Sequence, residues 1–321
     1  MEKNFLVGIG EILWDITPDG KTLGGAPANF AYHAGAISRL IGADLQGLVV
    51  SAIGNDPLAD ETLAELKPIQ LETHLSVVEH DTGRVNVCFD EKGEPQYEIV
   101  EDVAWDHIPY NGLAHIASHT RAVCFGTLAQ RSPKSRETIR RFLQAVPADC
   151  MKIYDINLRN PFYNTRIIKK SLELCNILKI NQDEAICLSR LLRMGKLTNI
   201  KIPGANTELK ELVAQLIQQY ALKIVVVTCG CNGSFVFTQD GKVSFRRTPK
   251  VEQVSAVGAG DSFTGTLCAC LAAGWSVRKA HKTAVEVSAY VVTQPGAMPD
   301  MAEAPISVKS VKSIQSVKSS N

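Results

Sequence analysis

Apolar runs of strand length alternate with helical patterns along almost the whole chain, and this alternation constrains the fold more than any other feature. FLVGIGEIL (5–13) reads as a strand and residues 27–40 as a helix. LVVSAIG (48–54) is a second strand, followed by a helix at PLADETLAEL (57–66). AVCFG (122–126) is a third strand; after it, Ser132-Pro133 supplies an N-cap serine with proline at the first helical position. In that helix Ile139, Phe142 and Leu143 share one face. KIYDIN (152–157), NILKIN (176–181) and KIVVVTCG (223–230) are short, apolar, β-branched strands, each followed by a helix or turn. Strands alternating with helices imply βαβ units: an α/β fold with a mainly parallel central sheet and helices on both faces.

One region breaks the rhythm. Between about 83 and 105 the pattern is strand, turn, strand, with no helix: RVNVCFD, the turn EKGEP, then QYEIV. A hairpin inserted into a βαβ chain is expected outside the main sheet, where such insertions serve as lids. The plainer reading is an edge hairpin that extends the sheet. Residues 14–23 are expected to join 83–105 in the lid. The last stretch, SVKSVKSIQSVKSSN (307–321), lacks the aromatic and large apolar content to pack a core. The expected organisation is therefore one domain over 1–305 and a disordered tail over 306–321.

Composition removes several function classes. Lys and Arg number 34 against 33 Asp and Glu, so the charge balance offers no nucleic-acid footprint. No apolar run approaches the ~20 residues of a membrane helix. The opening MEKNFLVGIGEILWD lacks a signal-peptide apolar core, so a cytoplasmic location is expected. The nine cysteines are odd in number and include no C-x-x-C pair, which points to reduced thiols rather than a zinc or redox site. Cys229-x-Cys231 and Cys268-x-Cys270 are the closest pairs. The seven histidines show no metal-binding spacing; His33 falls on a helix, and His115 and His119 lie one helical turn apart without a third ligand nearby. There is no G-x-x-x-x-G-K-[ST] loop, and VGIGEI lacks the third glycine of a dinucleotide fingerprint.

The chemistry concentrates in SAVGAGDSFTG (255–265). A Gly258-Ala259-Gly260 turn leads into Asp261 and a good helix, so the turn amides stand at a helix N-terminus, where an anion is favoured. A carboxylate on the same turn could take a proton from a hydroxyl beside that anion. A base next to an anion hole is what phosphoryl transfer to an alcohol requires. On this turn alone, Asp261 reads equally well as a helix cap. Elsewhere Asp15 and Asn29 offer groups suited to sugar hydroxyls, and the diglycine Gly24-Gly25 lets a ligand approach the backbone. DINLR (155–159), NQDE (181–184) and TCGCNG (228–233) each follow a strand, where open α/β sheets bind ligands.

Taken in order, GGAPANFAYHAGA, DINLR, NQDE, TCGCNG and GAGDSFTG resemble the ribokinase-like sugar kinases of the PfkB type, over about residues 5–300. GEILWDITPDG, VAWDHI (103–108) and CFGTLAQR (124–131) look most like bacterial fructokinases. The resemblance implies a ribokinase-like fold and ATP- and Mg²⁺-dependent phosphorylation of a sugar, fructose to fructose 6-phosphate. It implies that Asp261 is the general base and that the Gly258, Ala259 and Gly260 amides form the anion hole. Arg159 would steady phosphate charge, and Asp15, Gly25 and Asn29 would hold sugar hydroxyls. Asn181 and Glu184 would organise Mg²⁺ and phosphate through water. Thr228, Gly230 and Gly233 would lie along the ATP, with Ala284 and Ser288 facing the adenine. Lids of this family sometimes pair between subunits, so a homodimer through the lid is an arrangement the resemblance allows. Family members usually carry Asp-Thr where this chain has Ser255-Ala256. That aspartate often helps to bind a monovalent cation, so K⁺ activation is not expected here. A kinase of another sugar or a nucleoside, and a catalytically weak sugar-binding regulator, are the alternatives.

Overall fold

The computed structural model describes residues 3–89, 95–200 and 206–306. The EKGEP turn up to its proline (90–94) and the Ser/Lys-rich stretch 307–321 lie outside the described residues. In chain order the first elements are β1 (Phe5–Ile9), β2 (Leu13–Thr17), β3 (Gly20–Gly24), α1 (Ala26–Leu40), β4 (Gln46–Ile53), α2 (Pro57–Leu66) and β5 (Glu72–Val77). There follow β6 (Arg84–Phe89), β7 (Pro95–Ile99), α3 (Leu113–Ser118), β8 (Thr120–Phe125), α4 (Pro133–Ala145), β9 (Met151–Asp155) and α5 (Thr165–Leu174). The rest are β10 (Ile177–Asn181), α6 (Gln182–Leu192), α7 (Thr207–Tyr220), β11 (Ile224–Thr228), β12 (Ser234–Thr238), β13 (Val243–Arg246), α8 (Ala259–Ala272) and α9 (Val277–Val291).

The main sheet has nine strands in the order β13-β12-β11-β10-β9-β8-β1-β4-β5. From β11 to β5 every pairing is parallel, and β12 and β13 close one edge antiparallel. Side chains alternate across the strands with a period of two. Val7, Ile9, Val225 and Val227 enter one core with residues of α4, α5, α6 and α7. Leu6, Val49, Ile224 and Val226 enter a second core with α1, α2, α8 and α9. The apolar runs read from the sequence are strands buried on both faces for this reason. α1 packs directly on α8, and Gly265 permits it: a Cβ there would stand 2.9 Å from the Ala34 amide and the Phe30 carbonyl.

Two expectations need correction. FLVGIGEIL is not one strand. β1 stops at Ile9, Gly10 turns the chain at φ 150°, and β2 starts afresh in another sheet. Ser132 stands at the N-cap of α4, but its hydroxyl makes no cap bond and donates instead to the Asp106 carbonyl. The hairpin, by contrast, is not an edge of the main sheet. β6 and β7 pair antiparallel, and β2 joins β6 in parallel, giving a separate four-stranded sheet in the order β3-β2-β6-β7. Among the described residues no helix is long and apolar enough to cross a membrane.

Candidate active site

Five neighbouring parallel strands end at one edge of the sheet, and four of them deliver polar side chains there. Glu11 follows β1, Gly126 follows β8, Asp155 ends β9, Asn181 ends β10 and Thr228 ends β11. Their carboxyl ends face the N-terminus of α8. Helix geometry leaves the Ala259, Gly260 and Asp261 amides without acceptors inside α8. The Ser262 amide is the first to find one, the Gly258 carbonyl at 2.8 Å. The Ala259 amide is partly spent on the Ala256 carbonyl, 3.4 Å away, so the expected anion hole narrows toward its neighbours.

Asp261 is half-buried in the first turn of α8. Its Oδ2 accepts a hydrogen bond from Asn29 Nδ2 at 2.7 Å, which ties the diglycine helix α1 to the glycine turn. Desolvation by burial pushes the Asp261 carboxyl up to about 6, the Asp155 charge adds to the rise, and the Asn29 bond, Lys179 and Arg159 oppose it. A carboxylate so placed is ionised at neutral pH yet binds a proton readily.

Beneath the turn lies a buried ion pair that sequence reading did not single out. Lys179 Nζ donates to Asp155 Oδ1 at 3.0 Å, and Thr264 Oγ1 donates to Asp155 Oδ2 at 3.2 Å. A Cβ on Gly260 would stand 3.0 Å from Lys179 Nζ, so the glycine is what admits the ammonium under the turn. Burial pushes the Lys179 pKa down, but Asp155, Glu184 and Asp261 together outweigh it and hold it above the ordinary lysine value. Glu11 is a second omission. It is 2% exposed, its Oε2 has no hydrogen-bond partner among the described residues, and desolvation raises its carboxyl to about 7. The Asp261 and Arg159 charges both act on it.

The other expected residues divide. Gly25 caps α1 at φ 116°, Asn29 is buried in that helix, and Asp15 lies half-buried on β2. Desolvation raises the Asp15 pKa and Arg159 lowers it; the same exposed Arg159 lowers that of Asp261, so one guanidinium acts on both acids. Asn181 and Glu184 are engaged in each other's capping box: Glu184 Oε2 accepts from the Asn181 amide at 2.7 Å, and Asn181 Oδ1 accepts from the Glu184 amide at 2.9 Å. Glu184 Oε1 takes the Leu158 amide at 3.0 Å. These are the oxygen donors that Mg²⁺ takes. With both carboxylate oxygens already accepting, contact through water on the remaining lone pairs is the arrangement they fit. Thr228 ends β11, and Gly230 and Gly233, at φ 54° and 118°, shape the loop that follows. Ala284 corrects its expected role: it is fully buried in the core and backs the wall rather than facing a ligand. Ser288 is half-buried and turns its hydroxyl to the Val285 carbonyl at 3.2 Å.

A carboxylate thus stands beside free helix amides, above a buried cation and opposite the Asn29 side chain, the groups that transfer of an anionic group to a hydroxyl would need. The model of the pfkB family carbohydrate kinases matches residues 16–304, and the chain belongs to that family. It is 26% identical over 310 residues to an ATP-dependent 6-phosphofructokinase of Thermoanaerobacterium thermosaccharolyticum, covering 93% of this chain and 86% of the relative. It is 24% identical over 315 residues to a fructokinase of Vibrio alginolyticus, covering 90% of this chain and 93% of the relative. The crystal structure of a Xylella fastidiosa fructokinase with bound ATP superposes with a TM-score of 0.78 at 19% identity, covering 98% of this chain and all of that one. That likeness shows the ribokinase-like α/β fold.

Proposed function

We propose that this sugar kinase phosphorylates fructose at the 6-hydroxyl with ATP and Mg²⁺, Asp261 serving as the general base. The carrying observation is the Asp261 carboxylate, fixed by Asn29 at the N-terminus of α8 with its pKa raised to about 6. Asp261 removes the hydroxyl proton as the sugar oxygen bonds to the terminal phosphorus and the bond from that phosphorus to the ADP oxygen breaks. The Gly258–Gly260 turn amides, Lys179 beneath them and Arg159 receive the charge that develops on the phosphoryl oxygens. Asp15, Gly25 and Asn29 hold the sugar. Asn181 and Glu184 hold Mg²⁺ through water, and that ion, when bound, draws charge from the phosphate oxygens. Thr228, Gly230 and Gly233 line the nucleotide, with Ser288 toward the base. The four-stranded sheet carrying Asp15 closes over the sugar. The fructokinase and ATP in the names of the relatives support this reading, as does the ordered set of motifs.

A coupled assay of ADP release across fructose, ribose, fructose 6-phosphate and adenosine tests the substrate. Fructose should give the highest kcat/KM. Asp261→Asn should lower kcat by roughly 10²–10⁴ with little change in sugar affinity. Near-wild-type turnover in that variant would overturn the mechanism. Calorimetric sugar binding with no ADP from the wild type would instead favour the regulator.

A further inference from the structure

Although their spacing in sequence shows no metal pattern, the fold brings His80, Asp102 and His107 together, with one ligand atom of each within 4.8 Å of the others. All three lie at the stem of the four-stranded sheet. His80 stands between β5 and β6, Asp102 follows β7, and His107 ends the short turn Ala104–His107. Asp102 holds a left-handed backbone at φ 57°, which aims its carboxylate back at the two rings. The Oδ1 atom is 2.7 Å from His107 Nε2 and 3.6 Å from His80 Nδ1. The imidazoles stack face to face, 3.5 Å between centroids and 2° between planes.

Both histidines stand on fixed ground. The stem beside His80 is held by Thr82, whose amide and hydroxyl donate to Asp56 at 2.6 and 2.7 Å. Beside His107, Asp106 forms a buried ion pair with Arg131 at 2.7 Å. The Asp81 carbonyl accepts the Ala104 amide at 2.7 Å and joins the two segments. Asp102 is the freest of the three by position: its side chain is 76% exposed and it leads straight out of β7.

We propose that His80, Asp102 and His107 form a Zn²⁺ site that fastens the outgoing strand of the four-stranded sheet to the body of the protein. Two imidazoles and one carboxylate are a donor set zinc takes, with water in the fourth position. Zinc lies in the plane of each imidazole that binds it, so the two stacked rings, 2° apart, must splay for both to reach one ion at ~2.05 Å. Binding exchanges the Asp102–His107 hydrogen bond for three metal bonds. The site is separate from the Asp261 cluster and does not rest on the sugar specificity.

Titration calorimetry of the full chain with zinc chloride, together with Co²⁺ absorption as a reporter of tetrahedral geometry, tests it. One ion per chain should bind, and affinity should fall at least about tenfold in both His107→Ala and Asp102→Asn. The exposed Asp102 substitution keeps the test valid if His107→Ala fails to fold. Zinc binding unchanged in Asp102→Asn and His107→Ala, or no zinc binding at all, would overturn the site. Hydrogen exchange in β6 and β7 should slow when zinc is added; unchanged exchange with zinc bound would overturn the fastening.

Discussion

The bond from Asn29 to Asp261 sets where the proposed base titrates, and removing it gives a measurable displacement. Asn29 Nδ2 donates to Asp261 Oδ2 at 2.7 Å and stabilises the ionised form. Its loss therefore raises the Asp261 pKa further. A hydrogen bond to a charged group contributes about 1.5–3 kcal/mol when buried, and one pKa unit is about 1.4 kcal/mol. Asp261 is half-buried, so water replaces part of the missing bond and a rise of about one unit is expected. The acid limb of kcat/KM in Asn29→Ala then moves from about 6 to about 7. At about pH 6.5 the ionised fraction falls about threefold, whereas at about pH 8.5 both proteins are almost fully ionised. Weaker sugar binding caused by the absent amide raises KM equally at every pH, so the two roles separate. The assay is the pH profile of kcat/KM by coupled ADP release at constant ionic strength. An acid limb that stays where the wild type has it would refute the assignment of that limb to Asp261.

Other expectations follow from the same cluster. Glu11, raised by burial from 4.5 to about 7, binds its proton more tightly folded than unfolded, so stability falls as pH rises through that window, by on the order of 3 kcal/mol. Glu11→Gln should flatten this slope in urea denaturation; an unchanged slope would show that Glu11 titrates alike in the folded and unfolded chain. Ser255 brings no carboxylate, and its Oγ already accepts the Val257 amide at 3.2 Å. Replacing K⁺ by a bulky organic cation should therefore change kcat less than about threefold, while Ser255→Asp with Ala256→Thr should introduce K⁺ activation. Fructose should protect the amides of β2, β3, β6 and β7 from exchange, because closure excludes water from the transfer step. Unchanged exchange at saturating sugar would remove the lid role.

The sequence revealed the parallel sheet because its strands are buried on both faces and carry unbroken apolar runs. β5 escaped notice for the opposite reason: at the sheet edge, Glu72–Val77 is largely exposed and its side chains are mostly polar. The same logic explains the site. Asp261, Gly25 and Asn29 stand in turns and helix starts whose composition is visible locally. Lys179 sits inside the apolar strand NILKIN with its partner Asp155 on the neighbouring β9, and Glu11 follows β1 within the run VGIGEIL. The signal was present nonetheless. A charged residue inside a strand buried on both faces is stable only if the fold supplies a counter-charge or keeps it neutral. The His80–Asp102–His107 group left no comparable trace, since its members meet only after the four-stranded sheet folds.

Charge balance explains why these buried groups belong together. Glu11, Asp155, Glu184 and Asp261 share one edge of the sheet; the Asp261 charge raises the cost of ionising Glu11, and the Asp155 charge raises that of Glu184 and Asp261. Lys179, locked to Asp155 and kept protonated, is the fixed cation among them. Without it, Asp261 would hold its proton more tightly. Without Asp155, the ammonium would pull the Asp261 pKa down and weaken the carboxylate as a proton acceptor. The buried pair therefore brackets Asp261 between two opposing charges. Gly260, by admitting Lys179 beneath the turn, makes that bracket sterically feasible. A Gly260→Ala substitution would act first on the ammonium and through it on the proton affinity of Asp261.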